Sequence, residues 1–463
     1  MKPVFLYALA LMVAPCAAQA DTLWQIWQQA RAHDPAFLAA DAQLRMIQAQ
    51  RPAALAALLP HLTAEVDAGP QKDSTIAENF YGQGFEPIRE TEKMGVSTWQ
   101  VSLTQTLFNW TDFKTYQEAG YAVREAALNY QASLEKLNVT VAQDYVTVLA
   151  ATADVNALQQ AAQGFATQYH DAEARFRAGI TGIIAANEAL AAERAINAQL
   201  LQAQQNLIAA QQTLVALTGN PTLAVSGSLP STLAFAKPVS LATWLHAAQI
   251  GNPTLAANDL NVAAEQARLG AAKGGYLPSV SLQLQHMQEN QGGSVGYSYF
   301  GQQALSGPAN QIYGGNQVTV ELKWNIFDGG ATHAAIDQAQ AQRDQAIADA
   351  ATARLAIWRD IRTDYAAITL DQATIQADRE ATIAAEQAVH AAKAGVSAGL
   401  VSENNLINDR QQLLSAQLDL HEAILGTVKH ELALATAAGT ATPQLIYNLS
   451  VLLTTEKSNG DHP

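Results

Sequence analysis

A block of this chain returns about 220 residues after its first appearance, in the same order and register, which limits the possible folds more than any other feature. Asp34-Pro35 recurs as Asn252-Pro253, Leu59-Pro60 as Leu277-Pro278, Leu107-Phe108 as Ile326-Phe327, and Asp144-Tyr145 as Asp364-Tyr365. Gly179 recurs as Gly399 and Gly219 as Gly439. Chance matches would not hold one register through helical, extended and turn-like segments, so the spacing argues for two copies of one architecture. The expected organisation is a signal segment at 1–20, a first repeat at 21–220, a linker at 221–240, a second repeat at 241–440 and a tail at 441–463.

Lys2, the apolar run from Val4 to Val13 and Ala18-Gln19-Ala20 before Asp21 read as a secretory signal with its cleavage site. The single cysteine, Cys16, lies inside that segment, so cleavage leaves no thiol, disulfide or cysteine metal site. The competing reading makes Cys16 a lipid-attachment residue, and Pro15 directly before it speaks against that. Against 41 Asp and Glu stand 26 Lys and Arg, a formal net charge of −15, which disfavours nucleic acid as a partner. Solubility is the plainer account of that acidity, with attraction of cations into a pore as the specific one. No later stretch reaches the roughly 18 to 20 apolar residues that a membrane-spanning helix needs.

Four segments alternate in the manner of half-buried strands, at about 61–69, 96–108, 278–286 and 316–327. Val318, Val320, Leu322, Trp324 and Ile326 share one face of the last, while Gln317, Thr319, Glu321, Lys323 and Asn325 share the other. Val280, Leu282 and Leu284 mark its partner; in the first repeat Trp99, Val101, Leu103 and Leu107 mark one strand and Leu62, Ala64, Val66 and Ala68 the other, so each repeat holds a hairpin. Residues 70–95 and 287–315, rich in Gly, Asn, Ser and Tyr, are expected to be exposed loops. The strands have the length and pattern of transmembrane barrel strands, yet four cannot close a barrel. An open edge is not tolerated in lipid, so insertion would require strands from other copies of the chain. A soluble sheet covered by helices is the alternative.

No proline occurs from Asn109 to Gly179, and apolar residues recur at alternating steps of three and four from Phe113 through Leu137, Val148 and Phe165 to Tyr169. Gly120 and Asp144 interrupt a register that otherwise predicts a coiled-coil rod of about 100 Å, with a counterpart from Asp328 to about Ala398. Asp34-Pro35 and Asn252-Pro253 each start a helix, because the side chain can cap the first turn and proline fits the first helical position. Each rod is expected to turn at Gly179 or Gly399 into a helix of about 35 residues.

His421-Glu422 and His430-Glu431 lack the second histidine of a metalloprotease helix, and surface histidines are the better reading. The Gly270–Gly275 stretch lacks the spacing of a phosphate loop and reads as a helix end. Neither a nucleophile elbow nor a paired-carboxylate constellation stands out, and nothing asks for a cofactor.

Trp27-Gln28-Gln29-Ala30-Arg31 with Asp34-Pro35, Leu103-Thr104-Gln105 with Leu107-Phe108, and Arg175-Phe176-Arg177-Ala178-Gly179 carry a resemblance across the mature chain. In the second half Leu322 to Gly330, Ala398-Gly399-Leu400-Val401-Ser402 and Leu406-Ile407 continue it. In order, and twice over, these motifs resemble the outer membrane efflux proteins of TolC type. The resemblance implies a mainly α protein with a small β part: a homotrimer whose hairpins make one twelve-stranded barrel in outer membrane lipid, continued by a periplasmic helical barrel. It implies a passive exit duct for drugs or secreted protein, joined through a periplasmic adaptor to an inner-membrane pump of RND or ABC type, with no catalysis. An exported coiled-coil scaffold or adhesin is the competing class.

By the same resemblance, Gly179-Ile180-Thr181-Gly182 and Gly399-Leu400-Val401-Ser402 would form the periplasmic tip and adaptor-docking region. Trp99, Val101, Leu103, Val280, Leu282, Val318, Val320, Leu322 and Trp324 would face lipid. The chain departs from its relatives at the constriction, where Asn405 and Asn408 stand in place of two acidic residues. Weaker cation binding is expected there. Val401 replaces a basic latch residue and Ala185 stands near its acidic partner's place, so either other residues form the latch or the resting entrance is leakier.

Overall fold

The structure is a computed structural model, and it describes residues 21–80, 85–229, 240–299 and 302–455. The expected signal segment and Cys16 lie outside the described residues, as does most of the expected linker. The elements run α1 (Leu23–His33), α2 (Pro35–Ala56), β1 (His61–Phe80), β2 (Phe85–Phe108), α3 (Trp110–Arg177) and α4 (Ile183–Thr218). The same order then recurs as α5 (Leu241–Gly251), α6 (Pro253–Lys273), β3 (Ser279–Tyr299), β4 (Gln302–Lys323), α7 (Ala331–Ser397) and α8 (Glu403–Ala437), followed by α9 (Pro443–Thr455). The chain is thus mainly helical with a small sheet. Two compact units divide it, one with its described residues within Met1–Leu44, Ala127–Ala257 and Ala351–Pro463, the other comprising Arg45–Ala126 and Asn258–Ala350.

The first unit is helical. Two helix starts use the cap the sequence offers: an Asp34 carboxylate oxygen accepts from the Phe37 amide at 2.9 Å, and Asn252 Oδ1 accepts from the Leu255 amide at 3.0 Å. Leu23, Ile26 and Trp27 of α1 pack with Leu137, Val141 and Tyr145 of α3, Leu214 of α4, Val428 and Leu432 of α8, and Ile446 and Leu453 of α9. The segment expected to be a tail therefore supplies α9 and part of this core. A second apolar seam joins Val155, Leu158, Phe165 and Ala172 of α3 to Ala189, Ala192 and Ile196 of α4 and to Ile407 and Leu414 of α8. Small alanines at these positions let the helix backbones approach closely.

One polar side chain crosses the core. Asn138 is 0% exposed; its Oδ1 accepts from Trp27 Nε1 at 2.7 Å and its Nδ2 donates to the Ala441 carbonyl at 2.6 Å. Each bond satisfies a group that water cannot reach, so the cost of losing them exceeds their net strength.

The second unit holds an antiparallel sheet in the order β1-β2-β3-β4, with the ends of α2, α3, α6 and α7 that fall in it. The strands are 20, 24, 21 and 22 residues long, far beyond the expected segments. Residues 70–80 pair with 85–95, and most of 287–315 pairs likewise, so these stretches are strand rather than loop. Their Gly, Asn and Ser content hides the alternation, because backbone hydrogen bonds carry the pairing where no apolar face is formed. At the other end β4 stops at Lys323, earlier than expected. Trp324 and Ile326 leave the ladder, and the Trp324 indole donates to the Tyr276 carbonyl at 3.1 Å. Gly329 and Gly330, at φ 69° and 93°, then make the turn into α7.

Replacing Asn138 by Ala strands the Trp27 indole and the Ala441 carbonyl in the core. The expected loss is about 2 to 4 kcal/mol of stability, read as a lowered thermal midpoint in near-ultraviolet circular dichroism.

Candidate functional site

Two turns at the ends of α3 and α7 have the same construction. Gly179 and Gly399 both adopt φ 72°, in the left-handed region that glycine enters without a side-chain penalty. The Gly179 amide donates to the Phe176 carbonyl at 2.9 Å and the Ile180 amide to Arg175 at 2.9 Å; the Leu400 amide donates to Gly395 at 2.8 Å. These bonds satisfy the carbonyls left free at each helix end. Ile180 is 73% and Leu400 83% exposed, so apolar side chains crown both turns. Gly182 starts α4 without a side-chain cap, whereas Ser402 Oγ accepts from the Asn405 amide at 3.3 Å to start α8. Thr181 Oγ1 is buried and has no protein partner among the described residues.

An ion pair joins the end of α3 to the beginning of α8. Arg175 Nη1 meets Glu403 Oε1 at 2.8 Å, and Gln168 Nε2 donates to the Glu403 backbone carbonyl at 3.0 Å. The Glu403 side chain retains 10% of its accessible surface and Arg175 34%, so the pair is partly shielded from solvent. Neither residue received a role from the sequence. Glu403 reads as an acidic residue complementing its helix dipole, and a partner 228 positions away leaves no local signal.

Asn405 and Asn408 line a groove of about 440 Å³ with Val401, Asp409 and the small residues Ala388, Ala391 and Ala392. Val401 lies against Ala392, Val396 and Leu406, and its Cγ2 occupies the space a Cβ on Gly395 would need. It fills an apolar gap rather than presenting a polar group. The two flagged histidines are each committed to a carboxylate: His421 Nδ1 lies 2.7 Å from Asp154 and His430 Nδ1 2.7 Å from Asp371. No group of three or more His, Cys, Asp or Glu positioned to hold a metal occurs among the described residues.

Several carboxylates of the helical unit are partly or wholly buried. Glu135 and Asp364 border a cavity of about 530 Å³, and burial pushes both carboxyls above their ordinary values. Gln131 partly counters this at Glu135, as does the charge of His430 at Asp364. Burial alone raises Glu431 furthest, from 4.5 to about 8.

In the sheet, directly paired residues lie on one face, and the register gathers the expected lipid-facing residues onto a single surface. Leu62, Ala64 and Val66 sit opposite Leu103, Val101 and Trp99. Leu103 is opposite Leu284, which is opposite Val318; Leu282 faces Val320 and Val280 faces Leu322. Trp324 lies past the end of β4 and outside this ladder. The other face is polar and bonded across strands: Gln100 donates to Glu65 at 2.6 Å, Gln285 to Gln100 at 2.8 Å and Gln283 to Glu321 at 2.9 Å.

The Arg175–Glu403 pair should show a coupling of about 0.5 to 1 kcal/mol in a double-mutant cycle with Ala. Hydrogen exchange in the first turn of α8 should quicken in either single variant. Glu431 yields a pH prediction. Between its ordinary value of 4.5 and about 8 the folded chain keeps a proton that the unfolded chain has released. Its contribution to stability is therefore greatest at low pH and is lost as pH rises through about 8. Glu431→Gln should raise the thermal midpoint at and above pH 8 relative to the native protein and flatten the slope below it.

The profile described as "Outer membrane efflux protein" matches residues 26–220 and again 244–440. The outer membrane protein TolC of Vibrio cholerae is 24% identical over 458 residues, covering 99% of each chain. The alkaline protease secretion protein AprF of Pseudomonas aeruginosa is 25% identical over 398 residues, 84% of this chain and 79% of that one. Among solved structures, the outer membrane protein VceC of Vibrio cholerae superposes with a TM-score of 0.73 at 18% identity, over 90% of this chain and 96% of its own. With the profile matching most of the described residues, the chain belongs to the outer membrane efflux protein family.

Proposed function

We propose that this protein is the outer membrane exit duct of an efflux or type I secretion assembly, a passive conduit that reaches into the periplasm. The observation that carries the reading is the sheet itself. It has a face that is apolar near the helices, where Leu62, Leu103, Leu284 and Val318 share a row, an opposite polar face, and two edge strands, β1 and β4, of 20 and 22 residues. In lipid the unpaired backbone groups of such edges cost several kcal/mol each unless another strand satisfies them. A homotrimer meets that demand: β4 of each chain pairs with β1 of the next, and three four-stranded sheets close one barrel of about twelve strands. No helix among the described residues is long and apolar enough to cross a membrane.

The long helices α3 and α7, with α4 and α8 folded back at Gly179 and Gly399, form the helical barrel in the periplasm. The turns Gly179-Ile180-Thr181-Gly182 and Gly399-Leu400-Val401-Ser402 are its tip, where a periplasmic adaptor bridging to an inner-membrane pump docks on exposed apolar side chains such as Ile180 and Leu400. Asn405 and Asn408 line the constriction as neutral hydrogen-bonding groups. The description of the family as efflux proteins and the name of AprF, an alkaline protease secretion protein, favour a role in protein secretion alongside efflux.

Single-channel recording of the purified protein in a planar bilayer tests this directly. Discrete current steps from a detergent-resistant trimer are expected, while a protein that washes off membranes without inserting would point to an exported scaffold. Trivalent cation should block the native channel weakly. Asn405→Asp with Asn408→Asp should strengthen that block by about tenfold or more, and unchanged block would remove these side chains from the pore.

A further inference from the structure

The apolar face of the sheet does not stay apolar toward the hairpin ends. On β1 it runs through Leu62, Ala64, Val66, Ala68 and Pro70 and then meets Lys72. Lys72 is paired directly with Lys93 of β2, and both are exposed. Like charges placed opposite each other across an antiparallel pair repel and destabilise the sheet. Neither lysine takes part in an ion pair among the described residues.

Their surroundings on that face are small and hydroxylated. Lys93 is paired with Ser294 of β3; the next row outward holds Ser74, Thr91 and Gly296; the row inward holds Pro70, Gly95 and Gly292. Gly95, Gly292 and Gly296 leave the backbone bare beside the two ammonium groups. Arg89 follows one row beyond the hydroxyls, opposite Ile76. Asp73 and Glu92 belong to the opposite face, and the nearest carboxylate on the lysine face is Glu78, three rows out. The patch is therefore an uncompensated cationic pair lined by hydroxyl donors.

Its height is specific. From Leu62 to Lys72 is ten residues of strand, roughly 33 Å at about 3.3 Å each. Tilted by the usual 35 to 45°, that length projects onto roughly 25 Å, the height of the lipid band on a barrel of this class. Leu62 lies at the end that joins the helices, so the lysines lie at the far rim of the band, where headgroup phosphates of the outer leaflet begin.

We infer that Lys72 and Lys93, opposed across β1 and β2 beside bare glycine backbone at the rim of the apolar band, hold the phosphate of an outer-leaflet lipid. Arg89, Thr91 and Ser294 extend the same cradle. This rests on the channel reading, since only an inserted barrel meets a lipid phosphate at that height. The charge repulsion between the lysines is relieved when the phosphate sits between them, and each protomer supplies one such seat.

The test uses the full-length protein, purified as a trimer and offered bisphosphorylated lipid A, the same lipid after phosphatase treatment, or inorganic phosphate, with bound lipid counted by native mass spectrometry. Retention of the phosphorylated lipid should exceed that of the dephosphorylated form by about tenfold or more. Lys72→Gln with Lys93→Gln should abolish the preference; Lys72→Arg with Lys93→Arg should preserve it; Glu92→Gln, on the other face, should leave it unchanged. A Gln variant that inserts, conducts and still prefers the phosphorylated lipid overturns the inference and leaves the duct intact. Inorganic phosphate binding as tightly as lipid A would overturn the lipid as occupant. Failure of the native chain to insert would overturn both.

Discussion

Backbone hydrogen bonding at the two edges of the sheet is the constraint on which the remaining architecture depends. β1 and β4 each offer one side to a neighbour within the chain and leave the other side open over 20 and 22 residues. Soluble proteins blunt such edges with charges, bulges or short strands. Here the edges are long and the adjoining face is apolar near the helices, a combination suited to closure by identical copies. In the proposed trimer, identical copies would supply the missing partners and would relate three copies of each residue by symmetry, so that one Asn405 would become a ring.

The helical unit meets a different demand, that of long parallel surfaces held in register. Alanine-rich seams bring α3, α4 and α8 together, while sparse polar contacts fix their alignment. Asn138 does this in the core, and Arg175 with Glu403 does it near the turns. A partly shielded ion pair contributes modestly to stability, and here it ties the end of α3 to the start of α8.

Much of this was legible in the sequence, and the exceptions have physical causes. Proline-free heptads announced α3 and α7; Asp34, Asn252 and Gly219 marked helix ends that the structure places where expected. The feet of the strands were legible because an apolar face imposes alternation there. Their upper halves were not, since Gly292, Asn310 and their neighbours are paired through the backbone and carry no two-residue pattern. The turns at Gly179 and Gly399 were evident from their glycines. The Glu403 tie was not, because its meaning depends on Arg175, a residue on a different helix. The helix formed by Pro443–Thr455 escaped notice for a similar reason: its apolar residues matter through what they touch in α1.

That last contact bears on how the chain reaches its native state. Trp24 meets Tyr447 edge to face, its amide donates to Ser450 across 426 positions, and Asn138 holds Trp27 on one side and Ala441 on the other. The docking surface of α1 is thus completed by residues 426 positions further along the chain. Closing so long a loop delays folding until the far end is available.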